Sequence, residues 1–165
     1  MISIRPGARA DIPQAFNLVT ELAVYEKAAD QVSNTANQMA EDGFGPNPIF
    51  GMLVAEDSDG QKIVGMALYY FRYSTWKGKR LYLEDIVVTE AFRGYGIGKL
   101  LLDATIDMAK ETGCTGMMWQ VLDWNTPAIN FYKKYEPYFD GEWINCRLNR
   151  EQLAIKPVSE IKAQQ

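Results

Sequence analysis

The chain has 165 residues, 47% apolar and 12% aromatic, which suits one domain with a full core. Its formal charge of −4 argues against binding nucleic acid through phosphates and mildly favours cationic partners. There is no histidine, which excludes Ser-His-Asp and Cys-His nucleophiles and histidine metal sites, so proton transfer falls to Glu, Asp, Tyr, Lys, Cys, backbone or water.

A short strand is predicted over 2–5, ended by Pro6-Gly7. Asp11 is a good N-cap for a helix over 12–25, with Pro13 in its first turn and an apolar face of Ile12, Ala15, Phe16, Val19, Leu22 and Ala23. Thr35 starts a second short helix that ends near Asp42-Gly43, before a Gly/Pro-rich loop. Strands follow over 49–56 and 62–73, joined by a hairpin turn at 57–60. A central strand spans 80–89, then a glycine-rich turn opens a helix from Lys99 to about Glu111, closed by Gly113. The chain continues with a strand over 116–122, a helix over 125–135 with Pro127 in its first turn, a last strand over 142–148 and a helical turn over 150–155. This order predicts a mixed α/β sheet with helices packed on it, in a single domain over 1–156 with a tail over 157–165.

Residues 79–100 organise the rest. Arg93-Gly94-Tyr95-Gly96-Ile97-Gly98 follows the central strand and precedes a helix. Its glycines allow close backbone approach, and a helix N-terminus offers unpaired N–H groups to an anion. A dinucleotide fingerprint starting at Gly94 would need glycine at Lys99, and a Walker A loop would need Ser or Thr at Leu100. What remains is R-x-x-G-x-G spacing between strand and helix, a site for a phosphate-bearing ligand beside Glu84 and Asp85. Alternation places Glu84 with Tyr82 and Ile86 on one face of the strand, and Asp85 on the other.

The Arg93–Gly98 motif resembles the pyrophosphate-binding motif of the GNAT superfamily of N-acetyltransferases. Together with Trp124-Asn125-x-Pro127-x-Ile129-Asn130-Phe131-Tyr132 it is strong for that superfamily. Tyr25-Glu26, Glu41-Asp42-Gly43-Phe44-Gly45, Tyr69-Tyr70-Phe71 and Tyr82-Leu83-Glu84-Asp85 are similar to the spermidine/spermine (diamine) N-acetyltransferase branch, including its thialysine-acetylating relatives. The resemblance covers nearly the whole chain. It implies the GNAT fold, with a mixed, mostly antiparallel sheet of six to seven strands, splayed at the centre and flanked by about four helices.

The resemblance also assigns roles. Acetyl-CoA is the expected cosubstrate, and no metal is expected. Ile86, Val87 and Val88 would grip the acetyl and pantetheine part by backbone, and an N–H there would polarise the thioester carbonyl. Arg93, Gly94, Tyr95, Gly96, Ile97, Gly98 and Lys99 would hold the pyrophosphate. Asn125, Pro127 and Asn130 would contact the cofactor or fix the start of their helix. Tyr132 would be the general acid for the departing thiolate, since a phenol with pKa near 10 lies within about two units of a thiol. Glu84 would hold the amine and pass its proton on through water, because a carboxylate with pKa near 4 is a poor direct base for an ammonium near 10. Tyr25, Glu26, Trp76 and Glu142 would receive the rest of a cationic substrate, although at Glu142 the alignment slips by a residue.

Two departures widen the choice of substrate. Ser74-Thr75 stands before Trp76 where mammalian diamine enzymes carry an acidic residue and proline, and Glu136 stands where the family usually has glycine. Polyamines, diamines and lysine-like amines therefore all remain open. Protein lysine or N-terminal acetylation, transfer of a longer acyl group and non-catalytic acyl-CoA binding remain as rivals. The branch implies a homodimer. No apolar run reaches the roughly eighteen residues of a membrane span. The N-terminus lacks a signal-peptide pattern, and Cys114 and Cys146 are far apart in sequence. A cytoplasmic location is therefore expected.

Overall fold

The structure is a computed structural model that describes residues 1–154. The predicted tail over 157–165 and the end of the last helical turn lie outside the described residues. The chain divides into two compact units, one over Met1–Gln120 and one from Val121 onward.

In the first unit, hydrophobic alternation builds a sheet in the order β1-β2-β3-β4-β5. The strands are β1 (Ile2–Pro6), β2 (Gly51–Asp57), β3 (Lys62–Ser74), β4 (Gly78–Val88) and β5 (Met117–Met118). The first three junctions are antiparallel and β4–β5 is parallel. The helices of this unit are α1 (Ile12–Tyr25), α2 (Ala36–Phe44) and α3 (Ile97–Glu111). α1 and α2 cover one face, where Ile12, Ala15, Leu18 and Met39 pack with Met52, Val54, Met66 and Val87. α3 packs on β2, β3 and β4. It lies on the other face, because Leu101 comes close to Gly65, the neighbour of Met66 in β3. A Cβ at Gly65 would lie 3.1 Å from Leu101 Cδ1, so glycine lets helix and sheet approach.

Local chemistry fixes the ends of the elements. Thr35 caps α2 by accepting from Gln38 N–H at 3.1 Å, as its sequence position predicts. Asp11 differs from the expected side-chain cap. Its carboxylate takes a forked pair from Arg5 at 2.7 and 2.9 Å and accepts from Ala8 N–H at 2.8 Å, which ties β1 to the start of α1. The Arg5 guanidinium and the Ala8 N–H hold this carboxyl below its ordinary value, against the effect of burial.

One irregularity decides which residues reach the site. In the β3–β4 ladder Tyr69 opposes Leu83 and Leu68 opposes Asp85, so Glu84 is an extra residue in a β-bulge. A bulge shifts the alternation by one. Tyr82, opposite Tyr70, therefore shares a face with Asp85 and Val87, while Ile86, opposite Ala67, lies on the other face. This corrects the uninterrupted alternation that grouped Glu84, Tyr82 and Ile86.

The sheet has five strands among the described residues, where six to seven were expected. β5 is limited to Met117–Met118, shorter than the expected 116–122. α3 begins two residues before the expected Lys99, at Ile97. The second unit carries α4 (Thr126–Lys133) and α5 (Arg150–Ala154). Residues 142–148 are not a strand, and Trp143, Ile144 and Leu148 are exposed. The apolar/polar alternation of 144–148 is a strand signal, but a strand needs a ladder partner, and this unit has no other strand among the described residues.

Candidate active site

β4 is the spine of the candidate site. It pairs with β5 only at Leu81↔Met117 and Tyr82↔Met118. β5 ends at Met118, so β4 continues from Leu83 to Val88, through Ile86, Val87 and Val88, without a β5 partner. The chain then makes a 3-10 turn at Glu90–Phe92 and enters the glycine segment. Gly94 and Gly96 take φ values of +85° and +81°, a region in which an L side chain is strained. A Cβ on either would meet nothing within 4 Å, so the backbone there faces open space. Ile97 is buried and anchors the start of α3, whereas Gly94, Tyr95, Gly96 and Lys99 are exposed. The first turn of α3 has N–H groups without intrahelical partners and carries the positive end of the helix dipole. The glycine segment and the first turn of α3 together could offer backbone N–H groups to an anion.

Arg93 is held on the helical side of this segment. Its Nε donates to Val88 O at 2.9 Å and its Nη2 reaches Glu21 Oε1 at 3.3 Å. The guanidinium carbon lies 5.3 Å from the centre of the Tyr25 ring. Tyr25, expected at the substrate, is thus placed beside the cofactor loop.

At the bulge, β4 borders a pocket of about 230 Å³ beneath α1 and α2. Apolar walls come from Phe16, Val19, Met39, Ile49, Phe50 and Leu68, and polar groups from Asn34, Asp42, Glu84 and Asp85. Among the described residues, no lysine or arginine lines it. Asp85 is pushed up to about 6 by burial, then by the charges of Glu84 and Glu26. Burial also raises Glu26. The structure therefore groups the predicted Glu84 and Glu26 electrostatically around Asp85. The Tyr70 hydroxyl is pushed up to about 12 by burial, then by the charge of Glu84 and a hydrogen bond to it. Tyr70 and Tyr82 stack with ring centres 5.1 Å apart, on the same face as Asp85.

Asp85 is the residue that reading the sequence alone undervalued, because the bulge that turns it toward α1 and α2 leaves no signal in residue types. Trp76 lies in the turn between β3 and β4, where it is 85% exposed and does not line the pocket. In the second unit, Asn125 Oδ1 accepts from Ala128 N–H at 3.3 Å and caps α4, with Pro127 in the first turn as predicted. Tyr132 sits on α4 against Phe131, ring centres 5.2 Å apart, while Asn130 is exposed. Glu142 is exposed, and its N–H donates to Asp140 Oδ1 at 3.0 Å. No cluster of metal-ligating side chains occurs among the described residues. No helix there is long and apolar enough to cross a membrane.

A strand that outruns its parallel neighbour and leads through a glycine segment to a helix N-terminus frames the candidate site, and sequence comparison gives the family. The chain belongs to the acetyltransferase (GNAT) family, whose model matches residues 16–136. It is 41% identical over 138 residues to thialysine N-epsilon-acetyltransferase of Bos taurus, covering 80% of this chain and 81% of that protein. It is 40% identical over 158 residues to spermidine/spermine N(1)-acetyltransferase-like protein 1 of Homo sapiens, covering 91% of this chain but 23% of that longer protein. Among solved structures, an integron cassette protein of V. cholerae superposes with a TM-score of 0.74 at 21% identity, over 92% of this chain and 94% of that one, which bears on the fold alone. The protein is an acetyltransferase, and the family uses acetyl-CoA as cosubstrate.

Proposed function

We propose that the protein moves an acetyl group from acetyl-CoA to a primary amine of a small cationic substrate, by direct attack in a ternary complex. One observation carries this reading. β4 presents Glu84 and Asp85 to a pocket without Lys or Arg among its described lining residues, then runs through Ile86 to Val88 beyond the end of β5, and the glycine segment follows it. Amine, thioester and pyrophosphate thus have successive seats along one stretch of chain.

In this mechanism Asp85 and Glu84 attract the ammonium, and Glu84 relays its proton through water. A backbone N–H of Ile86–Val88 polarises the thioester carbonyl. The amine nitrogen forms the N–C bond as the C–S bond breaks, and the thiolate takes a proton from the Tyr132 hydroxyl. Asn125, Pro127 and Asn130 are assigned to contact the cofactor or to fix the start of α4. Tyr25, Glu26, Trp76 and Glu142 are assigned to the distal part of the substrate. The same reading makes the enzyme cytoplasmic, in keeping with two free cysteines, and homodimeric, which sizing in solution tests.

The experiment is CoA-thiol release from acetyl-CoA against spermidine, spermine, putrescine, lysine, thialysine and a lysine peptide. Turnover of at least one small amine is expected. CoA binding without turnover of any small amine contradicts the proposal and points to a protein substrate or a binding role.

A further inference from the structure

We propose that Glu21 is a positioning residue that yokes the cofactor loop to the C-terminal turn of α1, so that loading the loop orders the segment carrying Tyr25 and Glu26. The proposal rests on the reading of the glycine segment as the seat of CoA.

The geometry lies entirely within the first unit. Glu21 Oε1 accepts from the backbone N–H of Glu90 at 2.8 Å, just after the end of β4. The same oxygen faces Arg93 Nη2 at 3.3 Å. Arg93 in turn donates to Val88 O at 2.9 Å and lies over the Tyr25 ring. Glu21 and Tyr25 are one helical turn apart and share a face of α1. One carboxylate and one guanidinium therefore fasten the last residue of β4, the 3-10 turn and the glycine loop to the end of the helix. An ordinary surface ion pair contributes little, because two mobile side chains must be held in one place. Here the carboxylate also takes a backbone N–H, and the guanidinium is fixed by a backbone carbonyl and a ring.

α1 ends in amides that report on its order. Glu26 N–H donates to Leu22 O at 2.9 Å, Lys27 N–H to Val24 O at 3.1 Å and Ala28 N–H to Ala23 O at 2.9 Å. Lys27 holds a positive φ of +58° and ends the helix in a left-handed turn, so any opening of that turn is read by these three amides. A phosphate-bearing ligand that immobilises the loop around Arg93 removes part of that opening through Glu21. Coupling of this kind makes cofactor and amine bind better together than apart.

Amide hydrogen exchange of the whole protein, with and without saturating CoA, tests this without any substrate. In the wild type, CoA should slow the amides of residues 94–99 and those of residues 26–28, the latter by about fivefold or more, the low end of measured couplings. Glu21→Ala should keep the slowing at 94–99 and lose it at 26–28. Glu21→Gln, whose amide oxygen still accepts, should retain most of it. Arg93→Lys, which loses the Nε bond to Val88, is the second variant, with the same expected loss at 26–28. A merely structural role for Glu21 would change exchange at 26–28 equally with and without CoA. Equal CoA-dependent slowing at 26–28 in wild type and Glu21→Ala overturns the proposal. Slowing at 94–99 alone in the wild type also overturns it and leaves the CoA seat standing. No slowing at 94–99 overturns the CoA seat itself, and the yoke with it.

Discussion

Asp85 trades stability for binding. Its folded value of about 6 exceeds the ordinary 3.8, so in the folded state it holds its proton more tightly than in the unfolded chain. The stability linked to that proton is fully present below about pH 4 and is lost as pH rises through 6. Asp85→Asn should therefore stabilise the protein at pH 7 by up to about 2 kcal/mol, with the difference vanishing near pH 4, as denaturant melts at the two pH values will show. The same carboxyl must be ionised to attract an ammonium. kcat/KM for the amine should rise with pH around a midpoint near 6, and Asp85→Asn should lose that limb along with most of its amine affinity. The proposed role of Tyr132 concerns the leaving group. Tyr132→Phe should lower kcat by about a hundredfold or more, the usual scale of a lost general acid, with little change in the amine KM.

At the scale of elements, two local features carry measurable consequences. Glu136, just beyond α4, is held at a φ of +51°, where a side chain is strained. Glycine is free there, so Glu136→Gly should raise the melting temperature, by up to about 1 kcal/mol of stability. The sequence had already marked this position as one where the family carries glycine, and the backbone supplies the reason. At the other end of the chain, Arg5 and Asp11 clamp β1 to α1. Asp11 is held below its ordinary value, so its contribution is present above about pH 4 and is lost as pH falls through the lower folded value. Asp11→Asn should cost about 2 kcal/mol at pH 7, less than a fully buried pair because the Arg5 side chain stays 32% exposed. Urea unfolding at pH 7 and at pH 3 checks the magnitude and the sign. The helices were legible because caps and periodicity are local: Thr35, Asn125 and Pro127 stand where their helices start. The bulge at Glu84 was not, because it depends on the register between β3 and β4. The strand expected over 142–148 failed for a related reason, since alternation supplies an amphipathic segment but not the neighbour that it needs.

For the whole molecule, the sequence carried the glycine segment and the aromatic-acidic content of the site, since Arg93, Gly94, Gly96, Glu84 and Glu26 are chemistry written in residue types. It did not carry the placement of Glu84 and Asp85 in one pocket lined also by α1 and α2, nor the charge of Glu26 acting on Asp85. Nor did it show Glu21, whose partners at Glu90 and Arg93 are far away in the chain. A net charge of −4 and a pocket lined by carboxylates, without lysine or arginine among its described lining residues, both favour cationic substrates. The amine KM should accordingly rise with ionic strength, which rates measured at low and high salt will show.

The initial rate of CoA-thiol release over a matrix of acetyl-CoA and amine concentrations separates direct attack from a covalent route. Direct attack in a ternary complex predicts reciprocal plots that intersect and no thiol release beyond slow hydrolysis when the amine is omitted. Parallel lines, or a burst of thiol release without amine, would mean a covalent acetyl-enzyme and would contradict the central claim.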